Sequence, residues 1–319
     1  MRTNGRAKVC LPVAGKPVII RQLETFRAVG IESHIIVVGY HAEEVMRTVS
    51  GQFSGETWFA FQPENLGTGN AARAGAQLLQ KMAHLGRVLV MPGDEIIETN
   101  ALRRLMKVAE HSDADLAFMM ADKAMEPSAG RVIFAPSGEP IASVEKFDSA
   151  KCQLLSDYFE ATERAGELTA EDALNKARTL IGPDNKIALA LGELYDALHA
   201  GHPLTRDAFM GFFAPDERFI QLKSGIRLTS EEIEKSKYVN VSVYLFKADA
   251  LFEMLTQLTS NTAQREEYLT DAIAILHGDH RYKVVAEKLQ NKSEVLAFNT
   301  PEELDALEAY LETNAPVQV

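Results

Sequence analysis

The chain has 319 residues, 46% of them hydrophobic, enough to bury one large core or a core with a small attached lobe. A net charge of −12 argues against nucleic acid as a partner, because phosphate backbones ask for a basic footprint; a small anionic substrate stays open. The N-terminus Met1-Arg2-Thr3-Asn4-Gly5-Arg6 is polar and no apolar run approaches the roughly 20 residues that cross a bilayer, so a soluble protein without a membrane partner is expected.

Two cysteines, Cys10 and Cys152, argue against a disulfide framework or a cysteine zinc site and fit a reducing, cytoplasmic setting. The pairs His277/His280 and His199/His202 lack a surrounding carboxylate or cysteine set and read as surface or satisfied histidines. A homo-oligomer stays open.

In chain order, the first half alternates helix and strand signals. Lys16 to Val29 reads as a helix, with Pro17 in its first turn, Ile19, Leu23 and Phe26 on one face and Gly30 as its cap. Residues 34–38 form an apolar run expected of a strand buried on both sides. A helix from Glu43, a strand over 58–61, an alanine-rich helix from Gly69 and a strand over 87–91 come next. That strand runs straight into Pro92-Gly93-Asp94. A helix over 102–111 and a strand over 114–120 complete this half.

Strands are expected at 131–134 and 141–147, joined by a Pro-Ser-Gly-Glu-Pro turn. From Ser149 to about Lys237 the texture turns helical and polar, with helices at 160–170, 173–180, 187–200 and 231–237. Strand 239–246, helices 248–258 and 268–276, strand 282–286 and a last helix from Pro301 close the chain. The pattern predicts one Rossmann-like α/β domain, a doubly wound and mainly parallel sheet, interrupted by a mostly helical insertion at about 149–237.

Ligands bind such sheets at the carboxyl ends of strands, which places Asp94 for chemistry; the other reading is a cap on the next turn. Gln62-Pro63-Glu64-Asn65-Leu66-Gly67-Thr68-Gly69 joins two glycines around a threonine to a helix start. Bare backbone N–H groups and a side-chain amide could read a flat base there; alone, the stretch could also be an ordinary loop.

Together the segments resemble bacterial sugar-1-phosphate nucleotidyltransferases, above all the N-acetylglucosamine-1-phosphate uridylyltransferase domain. Lys8-Val9 with Leu11 and Ala14-Gly15-Lys16-Pro17 resemble the stretch just after that family's glycine-rich loop. Gln62 to Ala72 is similar to its base-recognition loop, and Pro92-Gly93-Asp94 to its metal-binding segment. Gly130-Arg131-Val132 and Val144-Glu145-Lys146 resemble its sugar-binding strands, and Val239-Asn240-Val241-Ser242 its Asn-Thr-Gly strand. Asn261 to Asp271 and Phe298-Asn299-Thr300 complete the series.

The resemblance implies roles. Gln62, Gly67, Thr68 and Gly93 would hold the nucleotide, and Asp94 and Asn299 would bind Mg²⁺ between the reacting phosphates. Lys8 and Asp94 would be the catalytic groups, with Lys8 neutralising phosphate charge. Gly130, Glu145 and Asn240 would hold the sugar. The partners implied are UTP, or another nucleoside triphosphate, and a sugar 1-phosphate such as that of N-acetylglucosamine or glucose. Lys8 and Glu145 could instead be exposed side chains, and Asn299 could cap the last helix. Tyr268 and Thr270 read as packing or capping residues.

Three departures stand out. The strand and glycine-rich loop that open the family are missing, which suggests a misplaced start or a truncation; a non-catalytic sugar-nucleotide-binding protein is then the alternative. Ser242 stands where the family has glycine. No hexapeptide-repeat segment ends the chain, so an acetyltransferase half is not expected.

Overall fold

A computed structural model describes residues 5–222, 225–260, 264–298 and 300–313, apart from the side chains of 301, 302 and 312. Two sequence expectations, the role of Asn299 and the segment Asn261-Thr262-Ala263, lie outside the described residues.

The first half carries α1 (Val18–Ala28), β1 (Ser33–Val38), α2 (Ala42–Gln52), β2 (Glu56–Phe61), α3 (Thr68–Lys81), β3 (Arg87–Val90), β4 (Glu95–Ile97), α4 (Thr99–His111) and β5 (Leu116–Asp122). Strands β6 (Arg131–Phe134) and β7 (Pro140–Val144) form an antiparallel pair. Among the described residues, six α-helices come after them: α5 (Lys146–Ala165), α6 (Ala170–Leu180), α7 (Asp184–Leu191), α8 (Glu193–His199), α9 (Arg206–Phe212) and α10 (Ser230–Glu234). The chain then returns through β8 (Tyr238–Lys247), α11 (Ala248–Thr256), α12 (Ala272–Gly278), β9 (Val284–Lys288), β10 (Val295–Ala297) and α13 (Pro301–Thr313).

The main sheet has six strands, in the order β9-β5-β8-β6-β7, with β3 also paired to β8. Strand β8 runs antiparallel to β3, β5 and β6, whereas β9 runs parallel to β5. The α/β class is as the sequence indicates, with β8 reversed between parallel neighbours. Strands β1 and β2 pair in parallel as a separate two-stranded sheet. Among the described residues β1 pairs only with β2 and β3 only with β8.

Period-two alternation explains the two wound faces. From β5, Ala117, Met119 and Ala121 enter a cluster with Ile20 and Leu23 of α1, Val49 of α2 and Leu105 of α4. Leu116 and Phe118 enter the opposite cluster, with Leu251 and Met254 of α11 and Ile273 and Leu276 of α12.

The helices between β7 and β8 form a lobe with its own core of Leu154, Leu155, Tyr158, Ile187, Leu194 and Phe209. The sequence pattern extends the preceding strand over 141–147, but β7 stops at Val144 and α5 starts at Lys146, so the helical segment begins earlier than Ser149. The helix expected over 187–200 is two helices, split at Gly192, whose φ of 55° and ψ of −130° suit glycine alone. Near the N-terminus, Pro12–Val13 and Lys16–Pro17 form a small hairpin, whereas the sequence pattern runs Lys16 and Pro17 into the first helix. Its turn residues Ala14 and Gly15 both have positive φ, the mirror-image turn that short hairpins favour.

Candidate active site

The loop after β3 is fixed before it carries chemistry. Gln22 of α1 is 3% exposed, and its Nε2 donates to Pro92 O at 2.7 Å and Glu95 O at 3.0 Å. A polar side chain buried on the apolar face shared with Ile19 and Phe26 is thereby satisfied, and residues 92–95 are held from both ends. Asp94 then meets Lys8: Lys8 Nζ donates to Asp94 Oδ2 at 2.6 Å. The Lys8 ammonium also lies 5.0 Å from the centre of the fully buried Phe298 ring. Strand β10 brings Phe298 there by pairing antiparallel to β4, with Ala297 opposite Glu95. At Gly93 a Cβ would sit 3.5 Å from Val9 Cγ1, so Lys8-Val9 and Gly93-Asp94 pack as one unit.

The N-terminal segment is itself anchored by α2. Glu44 accepts from the Ala7 N–H at 2.7 Å and from Arg6 Nε at 3.0 Å, and these bonds hold its carboxyl below the ordinary range.

The Gln62–Thr68 loop forms a second group. Gln62 Nε2 donates to Asn70 Oδ1 at 3.0 Å and to Gly67 O at 3.3 Å. Gly67 has φ 103°, and a Cβ there would overlap the Glu267 carbonyl oxygen. Gly69 N–H donates to that oxygen at 2.8 Å, and Leu269 N–H donates to Thr68 Oγ1 at 3.0 Å. Beside Gln62, Leu66 and Asn70 a shallow pocket of about 210 Å³ opens.

The three residues expected to hold sugar come together. Asn240 N–H donates to Gly130 O at 2.9 Å. A Cβ on Gly130 would lie 3.1 Å from Ser143 Oγ and 3.4 Å from Glu145 Oε1. The Asn240 amide serves the fold as well: it donates to Tyr244 Oη at 2.7 Å and Ser143 Oγ at 3.4 Å, and accepts from Ser242 N–H at 2.9 Å. This is the bulge of β8, where the register shifts between Asn240 and Tyr244. Ser242 adopts φ 58°, the left-handed conformation that glycine takes without strain, and the Asn240 side chain helps hold it.

The groups are linked. Segment 267–270 touches the base loop through Glu267 and Leu269, and continues into Thr270, which acts on the Glu145 carboxyl. Burial raises Glu145, and Thr270 and Arg131 draw it part of the way back. Tyr268 and Thr270 are buried, in keeping with a packing role. Glu95, to which no sequence signal assigns a role, is pushed up to about 8, by burial first and then by Asp94, with Lys8 opposing.

A hard divalent cation fits this donor set. Asp94 already carries a cation, the Lys8 ammonium, on Oδ2, and Mg²⁺ commonly takes one or two carboxylates with substrate phosphates and water completing its shell. No group of three or more His, Cys, Asp or Glu able to hold a metal is present among the described residues. None of the described helices is long and apolar enough to cross a membrane.

Comparison with known proteins shows the family. The nucleotidyl transferase family model matches residues 3–175, more than half of the chain. The bifunctional protein GlmU of Symbiobacterium thermophilum is 33% identical over 144 residues, covering 44% of this chain and 30% of its own. GlmU of Pelotomaculum thermopropionicum is 25% identical over 305 residues, covering 95% of this chain and 48% of its own. The chain thus spans less than half the length of these relatives. A Bacillus anthracis protein described as a glucose-1-phosphate thymidylyltransferase shares the fold, with TM-score 0.55 at 14% identity over 97% of this chain and 87% of that one. The chain belongs to the nucleotidyl transferase family, among the sugar-1-phosphate nucleotidyltransferases.

Proposed function

We propose that the protein joins a nucleoside triphosphate to a sugar 1-phosphate and releases pyrophosphate, with UTP as the nucleotide and glucose 1-phosphate or N-acetylglucosamine 1-phosphate as the acceptor. The observation that carries the reading is the meeting of Lys8 and Asp94 in the loop after β3, together with the gathering of Gly130, Glu145 and Asn240.

A phosphate oxygen of the sugar phosphate attacks the α-phosphorus and forms the new P–O bond. The bond from that phosphorus to the bridging oxygen breaks, and its electron pair leaves with pyrophosphate. The nucleophile is already an anion, so the residues need supply no general base. They supply position and charge, which is most of what such transfers ask.

In this reading Gln62, Gly67 and Thr68 hold the base, and Gly93 lets the phosphates approach the loop. Lys8 neutralises charge as it shifts toward the leaving group, while Gly130, Glu145 and Asn240 orient the sugar. Asp94 and Asn299 would hold Mg²⁺, which would supply positive charge against that of the phosphates.

A pyrophosphate-release assay with UTP, dTTP, CTP and GTP, each with either sugar phosphate and Mg²⁺, tests the reading. Release that is fastest with UTP supports it. Release only with another triphosphate corrects the nucleotide. No release from a folded protein that still binds a nucleotide sugar favours a binding protein instead.

A further inference from the structure

Glu95 has no part in the roles above. It opens β4, where neighbouring side chains leave on opposite faces. Ile96 packs with Val13, Val18 and Phe298, the side on which Lys8 meets the aromatic ring. Ile97, on the face of Glu95, belongs to the core cluster that includes Met119, Val239 and Val243. The Glu95 side chain thereby leaves on the face of that cluster, opposite to Phe298. Its charge and that of Glu145 both act on the buried Tyr244 hydroxyl, which bonds the Asn240 amide.

Glu95 Oε2 is closed off from solvent and has no hydrogen-bond partner among the described residues. A buried oxygen left in that state costs about 1–3 kcal/mol, and native proteins rarely keep one unless something completes it. Neither Tyr244, whose Oη accepts from Asn240, nor Lys8, which bonds Asp94, donates to Glu95 Oε2. A bound ligand can supply the missing donor.

We propose that Glu95 Oε2 accepts a hydrogen bond from a hydroxyl of the bound sugar 1-phosphate and so helps decide which sugar the site takes. The inference rests on the proposed transferase reading, since it assumes a sugar beside Gly130, Glu145 and Asn240. One face of residues 94–95 would then serve the phosphates and the other the sugar.

Calorimetric titration of glucose 1-phosphate and its monodeoxy analogues into the wild-type protein, Glu95→Ala and Glu95→Gln tests it, with UTP titrated as a control and melting curves confirming the fold. The wild type is expected to lose about tenfold or more in affinity for one deoxy analogue. Glu95→Ala should lose a similar factor for glucose 1-phosphate and no longer distinguish that analogue, while its UTP affinity holds. Glu95→Gln, which keeps an acceptor oxygen, should recover part of the loss. A Glu95→Ala protein that ranks the analogues as the wild type does overturns the proposal. So does one that loses Mn²⁺ affinity with its sugar affinity intact, which would assign Glu95 to the cation. A wild type that binds UTP but no sugar phosphate overturns the transferase reading itself, and this inference with it.

Discussion

Lys8 Nζ lies 2.6 Å from Asp94 Oδ2 across 86 positions of sequence. The side chains are 24% and 35% exposed, so the pair is worth little to stability, about 0–1 kcal/mol. Its value lies in holding a cation and an anion where phosphates would arrive. Asp94→Ala should therefore leave the melting temperature nearly unchanged and reduce turnover about a thousandfold, the effect of removing a cation's carboxylate. Steady-state kinetics and a melting curve on the same preparation check this; a large loss of stability with activity retained contradicts it.

Gln22 acts through the loop rather than on substrate. Gln22→Leu keeps the side chain's bulk but leaves the Pro92 and Glu95 carbonyls without their donor. It should cost about 1–3 kcal/mol in denaturant unfolding. Turnover should fall with little change in nucleotide affinity, because the base loop 62–68 is braced separately by Glu267 and Leu269.

Gly67 is where the base loop meets that brace. Its φ of 103° and the adjoining Glu267 carbonyl oxygen leave no room for a Cβ. Gly67→Ala should destabilise the fold by about 2 kcal/mol or more and weaken nucleotide binding as the loop shifts. A variant with wild-type nucleotide affinity by calorimetry would show that the loop does not hold the base.

Glu145 gives the stability a pH dependence of known sign. Burial lifts its carboxyl above the ordinary 4.5, so the folded state holds the proton more tightly than the unfolded one. Its contribution is complete below 4.5 and is lost as the pH rises through the raised value. The share of stability that Glu145 contributes should decline as the pH rises above 4.5, so the difference in melting temperature between the wild type and Glu145→Gln should change with pH in that direction. Melting curves in which that difference stays constant with pH would contradict the assignment.

The sequence made the strand-end position of Asp94, the glycines of the base loop and the alternation of helices and strands legible, because each leaves a local pattern. What it hid depends on partners distant in the chain. Gln22 is visible in the sequence only as a polar residue on an apolar helix face, and its purpose needs the Pro92 loop beside it. Glu95 is only a neighbour of Asp94 until the strand's two faces separate them. Ser242 departs from the expected glycine, yet the chain keeps the left-handed turn and secures it with Asn240. That same amide, expected only as a sugar contact, also builds the bulge that shapes the site.

The most direct test of the account is Mn²⁺ binding, monitored by electron paramagnetic resonance with and without UTP, in the wild type and in Asp94→Ala. The account predicts that UTP tightens Mn²⁺ binding to the wild-type chain and that the variant loses this tightening while remaining folded. Equal Mn²⁺ binding by the two proteins in the presence of UTP would contradict the claim that Asp94 holds the cation beside the nucleotide.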